Sequence, residues 1–204
     1  MKIKKTIKIT AIIALSAIVA IIAYLLTKPD NDPSIKEKIH LLKAYSTVMR
    51  FKIVQPQSEN GQDEEGFILV AKFFNLDEDM VGRLESSFDA DSIVFDFQRI
   101  RIDDKYIFFP ETMLFLKKGK INKKIDLKKN YTINNSPGIY FSKIIDHQLS
   151  KQISQLYNLL NNQKFETIEK KFGIYSHYNI VLKKPKPREL YSLRINIDGS
   201  VSIN

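Results

Sequence analysis

Histidines, closely spaced aspartates and lysine runs are the residues of this 204-residue chain on which chemistry could rest. His40, His147 and His177 fall in three different expected elements. His147 directly follows Asp146, but sequence neighbours on a helix point away from each other and do not form a working pair. Asp89 and Asp91 form a D-x-D, a spacing at which two carboxylates can hold a divalent cation. They lie between an element ending near Phe88 and a strand starting near Ile93, where acidic residues commonly serve turns. Asp103 and Asp104 read the same way. No H-E-x-x-H, G-x-S-x-G or S-x-x-K pattern is present, nor a Gly-rich phosphate loop. The residues therefore assign no catalytic group, metal ligand or cofactor. A membrane-tethered hydrolase or transferase built around Asp89, Asp91 and a histidine is the competing reading.

Two basic stretches stand apart. Leu116 to Lys129 carries seven Lys and one Asp, and Lys183 to Arg188 reads KKPKPR. Lys-rich surfaces attract anionic lipid head groups or acidic polymers through long-range attraction. Few Arg residues and an expected extracytoplasmic setting argue against nucleic acid. Beside the first stretch, Tyr106 to Leu116 (YIFFPETMLFL) places apolar side chains on both faces around Pro110, a residue suited to an edge or a bulge. An exposed apolar edge is an interaction surface, whereas the same strand covered by a helix is core. The expected contact residues are Phe108, Phe109, Met113 and Phe115, with Lys117, Lys118, Lys123 and Lys124 alongside.

These segments need a scaffold, and composition supplies one soluble domain. The chain is 44% hydrophobic and 27% charged, and has no cysteine. That absence excludes disulfides, thiolate metal sites and a Cys nucleophile. Four of the 32 basic residues, Lys2, Lys4, Lys5 and Lys8, precede an uncharged run from Ile9 to Thr27, leaving 28 against 23 acidic ones in the remainder. Nineteen residues rise roughly 28 Å as a helix, the thickness of a bilayer core. The basic flank before the run and the acidic stretch after it place the N-terminus in the cytoplasm. The run is longer than a signal-peptide core and ends in Tyr24, Leu25, Leu26 and Thr27 without an Ala-x-Ala cleavage site, which favours retention over cleavage. Ser16, Ala20, Ala23 and Thr27 would share one helix face and offer a seam for another membrane helix.

The expected organisation is thus a basic N-terminus (1–8), a transmembrane signal-anchor helix (9–27), a short tether (28–33) and an extracytoplasmic domain (34–204). Within that domain the patterns predict a helix from Ser34 to about Thr47, a strand over Arg50 to Gln55 and a buried strand over Phe67 to Phe74. A short helix follows with Met80, Leu84 and Phe88 on its core side. The apolar phase changes from Ile93, Phe95 and Phe97 to Ile100 and Ile102, predicting a bulge near Gln98 or Arg99. A long helix is expected from Ser136 to Leu160, then a shorter one ended by Gly173 as a glycine cap. The terminal hairpin should turn through a three-residue loop with Gly199 left-handed, placing Ile195 opposite Val201 or Ile203. The fold expected is α+β, with a mainly antiparallel sheet and about four helices. The function expected is that of a single-pass, non-enzymatic protein of a bacterial cytoplasmic membrane, whose outer domain binds a protein or another envelope component.

Overall fold

A computed structural model describes residues 35–56 and 66–204. The chain divides into two compact units, Met1–Pro33 and Ser34–Asn204, and the described residues all belong to the second. The expected transmembrane helix over 9–27, with its Ser16, Ala20, Ala23 and Thr27 face, lies outside the described residues. Among those described, no helix is long and apolar enough to cross a membrane.

Among the described residues the architecture is mostly antiparallel sheet with three short helices, which corrects the expected α+β domain with about four helices. A five-stranded sheet has the order β11-β10-β1-β2-β3, built from β1 (Tyr45–Val54), β2 (Phe67–Phe74), β3 (Met80–Phe88), β10 (Leu190–Asn196) and β11 (Val201–Ile203). A four-stranded sheet has the order β6-β5-β4-β9, built from β4 (Ser92–Ile102), β5 (Lys105–Lys117), β6 (Lys120–Asp126) and β9 (Ile174–Lys183). A two-stranded ribbon, β7 (Thr132–Ile133) with β8 (Ser136–Pro137), lies in the long connection after β6. The helices are α1 (Ile35–Lys38), continued by one 3-10 turn, α2 (His147–Asn161) and α3 (Phe165–Lys171).

The two large sheets meet face to face over an aromatic core. The rings of Phe51 on β1 and Phe95 on β4 lie 5.3 Å apart, and those of Phe88 and Phe115 4.5 Å apart. Ile93, Phe95 and Phe97 give β4 its inner face, and all three are fully buried. Past Phe97 the buried residues change to Ile100 and Ile102, which point to the opposite face of the sheet. That face is covered by helices: Tyr157 of α2 packs on Phe109, and Phe165 of α3 stacks on Tyr175, which lies opposite Ile100. The phase change in β4 is therefore a change of covered face. The extra residue expected near Gln98 or Arg99 sits instead on the neighbouring strand, where Asp96 pairs with Thr112 and Phe97 with Pro110, leaving Glu111 bulged.

Several helices expected from spacing are strands or shorter helices. Met80, Leu84 and Phe88 recur every four residues, which fits one helix face and equally the even positions of a strand. The strand wins because Phe67 to Phe74 pairs with it throughout its length. Asn75 closes the connecting turn by accepting N–H bonds from Asp77 and Asp79 at 2.9 and 2.8 Å. Gly82 is required within β3, since a Cβ there would lie 1.6 Å from the carbonyl oxygen of Asn130. The first helix stops before β1, and Met49 faces the core from that strand. Ser136 and Pro137 belong to β8; α2 begins later, capped by Asp146, whose carboxylate accepts the Gln148 N–H at 2.7 Å. Gly173 follows α3 but is not a left-handed cap: a Cβ there would meet the Arg101 carbonyl oxygen at 2.0 Å. At the C-terminus Ile195 lies opposite Val201, the Asn196 N–H reaches Ser200 O at 2.9 Å, and Gly199 has φ +99°.

Candidate functional site

The expected contact strand is interior. β5 lies between β4 and β6, and Phe108, Phe109, Met113 and Phe115 are fully buried. β6 pairs only with Thr112 to Lys117, which would leave the other half of β5 open. Two tyrosines close it. The Tyr140 hydroxyl donates to Phe108 O at 2.9 Å and accepts the Phe108 N–H at 3.0 Å, while the Tyr131 hydroxyl donates to Pro110 O at 2.7 Å. No apolar edge is offered there. The flanking lysines do not form one patch. Lys117 pairs with Asp89, the Lys118 N–H donates to Asp91 at 2.8 Å, and Lys123 donates to Ser87 O at 2.6 Å. Lys124 stands apart, opposite Leu114 on the outer face.

Asp89 and Asp91 thus hold the β5–β6 turn, and neither meets a histidine. Ser92, just after them, pairs with Lys183, six residues along β9 from His177. His40 and His147 are exposed, on the 3-10 turn after α1 and on the first residue of α2.

His177 has different neighbours. On β9 it lies opposite Gln98 of β4, which in turn lies opposite Phe109 of β5, so all three face outward from the sandwich. Asp96 is on the same face two residues earlier, and the β5 bulge turns Glu111 toward it. His177 Nδ1 lies 3.8 Å from Asp96 Oδ1 and 3.7 Å from Glu111 Oε2. His177 Nε2 is 2.6 Å from the Tyr175 hydroxyl. The other Glu111 oxygen, Oε1, accepts from Gln98 Nε2 at 3.0 Å and faces Lys128 Nζ at 3.4 Å. Burial raises the Asp96 pKa; Glu111 pushes the same way, while His177 and Lys124 oppose it. Gln98 is 4% exposed, and its Oε1 has no hydrogen-bond partner. The amide orientation is fixed, because a flip would set two oxygens against each other at Glu111.

Asp96, Glu111 and His177 form the one group of potential metal-ligating side chains among the described residues whose ligand atoms converge, all within 4.8 Å. Sequence reasoning missed it for two reasons. Residues 174–183 show no clean alternation, because Val181 lies between Ile180 and Leu182, and only their β-branched and aromatic content marks a strand. The apolar phase points to a bulge on β4, whereas the extra residue is Glu111 on β5, and only that register brings Glu111 to Asp96.

β9 also differs from the other three outer strands of the two large sheets. β11 has only three residues. β6 carries Lys120, Lys123 and Lys124 and pairs through a register shift. β3 also has a register shift, and the Asn130 backbone presses on Gly82. β9 has ten residues in unbroken register with β4, no proline, and one lysine at its last position. Among the described residues it is the long edge without a guard.

No protein-family model matches this chain, and neither a curated protein nor a solved structure is significantly similar to it.

Proposed function

We propose that the domain is a non-enzymatic protein-binding module that takes up an extended segment of a partner protein along the β9 edge. The observation that carries this reading is the unguarded edge itself. Ten residues span about 33 Å, and an edge strand leaves alternate N–H and C=O groups for an added strand. Exposed Asn179 and Val181 stand on the outer face beside it and supply side-chain contacts. The lysine-flanked, uncharged run from Ile9 to Thr27 supports presentation at the outer surface of a bacterial cytoplasmic membrane, where partners are envelope proteins. The Lys-rich β5–β6 turn supports an accessory contact with anionic lipid or polymer.

Photocrosslinking in cells tests the reading. A crosslinker at Asn179 or Val181 should capture a defined partner, and one at Ile121 on β6 should not. Adding lysines at the edge, Asn179→Lys with Val181→Lys, should abolish capture while leaving the melting temperature within about 2 °C, as expected for exposed substitutions. Equal capture from β6, capture only of a second copy, or capture that survives the added lysines would refute it.

A further inference from the structure

We infer that Asp96, Glu111 and His177 bind a divalent transition-metal ion of the Zn²⁺ type, with Gln98 as the supporting buried amide. The geometry points to a metal rather than to direct hydrogen bonding. Separations of 3.7 and 3.8 Å from His177 Nδ1 to the two carboxylate oxygens are too long for hydrogen bonds. Donors about 2.1 Å from a tetrahedral ion lie roughly 3.4 Å apart, so His177 Nδ1 needs a few tenths of an ångström of closure on each carboxylate, and the two carboxylates, which lie within 4.8 Å of each other, need up to about 1.4 Å by side-chain rotation.

Each atom is suited to its part. Glu111 uses Oε1 for Gln98 and Lys128, which leaves Oε2 toward His177. The Tyr175 hydroxyl, 2.6 Å from His177 Nε2, can accept that nitrogen's proton when Nδ1 ligates an ion, which would orient the ring for the site. One imidazole and two carboxylates suit a borderline ion such as Zn²⁺, whereas Ca²⁺ and Mg²⁺ prefer oxygen alone.

Gln98 gives an independent indication. A buried amide oxygen without a partner is costly, and here it belongs to the side chain bonded to Glu111. A water on the ion would supply the missing donor. With His177 exposed and three protein ligands, the site keeps an open position.

The test uses the full-length chain without a histidine tag. Zn²⁺ at a hundredfold excess over its dissociation constant should raise the melting temperature by about 5–10 °C. Co²⁺ should give visible absorption bands. His177→Ala and Asp96→Asn should each weaken binding about a hundredfold or more and remove both signals, whereas His40→Ala and His147→Ala should keep both. Because His177 is exposed, its loss should leave the fold intact. Absence of both signals from the unmodified chain, or their retention in either site variant, would overturn the assignment. The result is independent of the β9 crosslinking outcome.

Discussion

Tyr140→Phe isolates one oxygen atom. The ring is 5% exposed and packs edge-on against Phe109 at 5.5 Å, so phenylalanine keeps the packing. What is lost is the hydroxyl that serves both backbone groups of Phe108, where β6 no longer reaches β5. A buried polar group left without a partner costs about 1–3 kcal/mol, so two of them, with some relaxation, cost about 2–4 kcal/mol. For a domain of this size each kcal/mol moves the melting temperature by about 2–4 °C. Calorimetry should therefore show a fall of about 4–16 °C, and the Phe108 amide should lose protection from hydrogen exchange. Tyr45→Phe, at a 65% exposed position, should show neither effect. If Tyr140→Phe melts within about 1 °C of the unmodified chain, the β5 edge is not closed by this hydroxyl, and the case for a buried strand is wrong at that point. The Tyr140 hydroxyl is held well above the usual tyrosine range by burial, so raising the pH to 10 should not mimic the substitution.

Gly82→Ala should destabilise by more than about 2 kcal/mol, because the obstacle to a Cβ is backbone and cannot swing away, while Ser87→Ala on the same strand should be near neutral; urea denaturation compares them. Asp96→Asn should raise the melting temperature of the metal-free domain at pH 7. The raised pKa means that ionised Asp96 opposes folding, a penalty absent at low pH and growing as pH rises through its folded value. The gain from the substitution should accordingly shrink on acidification. Asp77 has the opposite sign. The Lys143 N–H and the Ser142 hydroxyl lower its pKa, so its stabilisation is present above the ordinary carboxylate range and fades as pH falls through the lowered value. The melting-temperature gap between the unmodified chain and Asp77→Ala should therefore narrow from pH 7 toward pH 3.

What the sequence shows and hides follows from which signals are local. The β2 run, the alternation in β10 and β11 with Gly199 between them, and the apolar spacing of α2 and α3 need only near neighbours, and each is legible. The fold class is not legible where local signals are degenerate. A four-residue repeat over Met80 to Phe88 serves a helix and a strand alike, and Ile35, Ile39 and Leu42 continue in helical spacing only as far as the strand-forming Tyr45 to Val48. The phase change in β4 could not be interpreted locally, because its cause is α2 and α3, which join the sheet from more than forty residues away. The same limit applied to the cluster. Asp96, Glu111 and His177 become neighbours only through the β4–β5 and β4–β9 registers and one bulged residue.

That bulge argues that the cluster is maintained and not incidental. An unbroken β4–β5 ladder would alternate through Glu111 without an unpaired residue; the observed register gives up ladder regularity to bring a second carboxylate beside an existing one. Next to it, Gln98 keeps a buried oxygen without a donor, and Asp96 ionises against burial and a like charge. Each of these alone is a small loss of stability, and an apolar residue at Gln98 or Glu111 would remove it, as Ile100 and Phe109 already do on the same face of the sheet. Three departures from local consistency meeting on one patch are what a binding site costs a fold. A divalent ion at the cluster would offset the charge of both carboxylates and ligate the bulged Glu111, to which Gln98 is bonded. A partner strand on β9 would contact the same patch from its edge without relieving any of them.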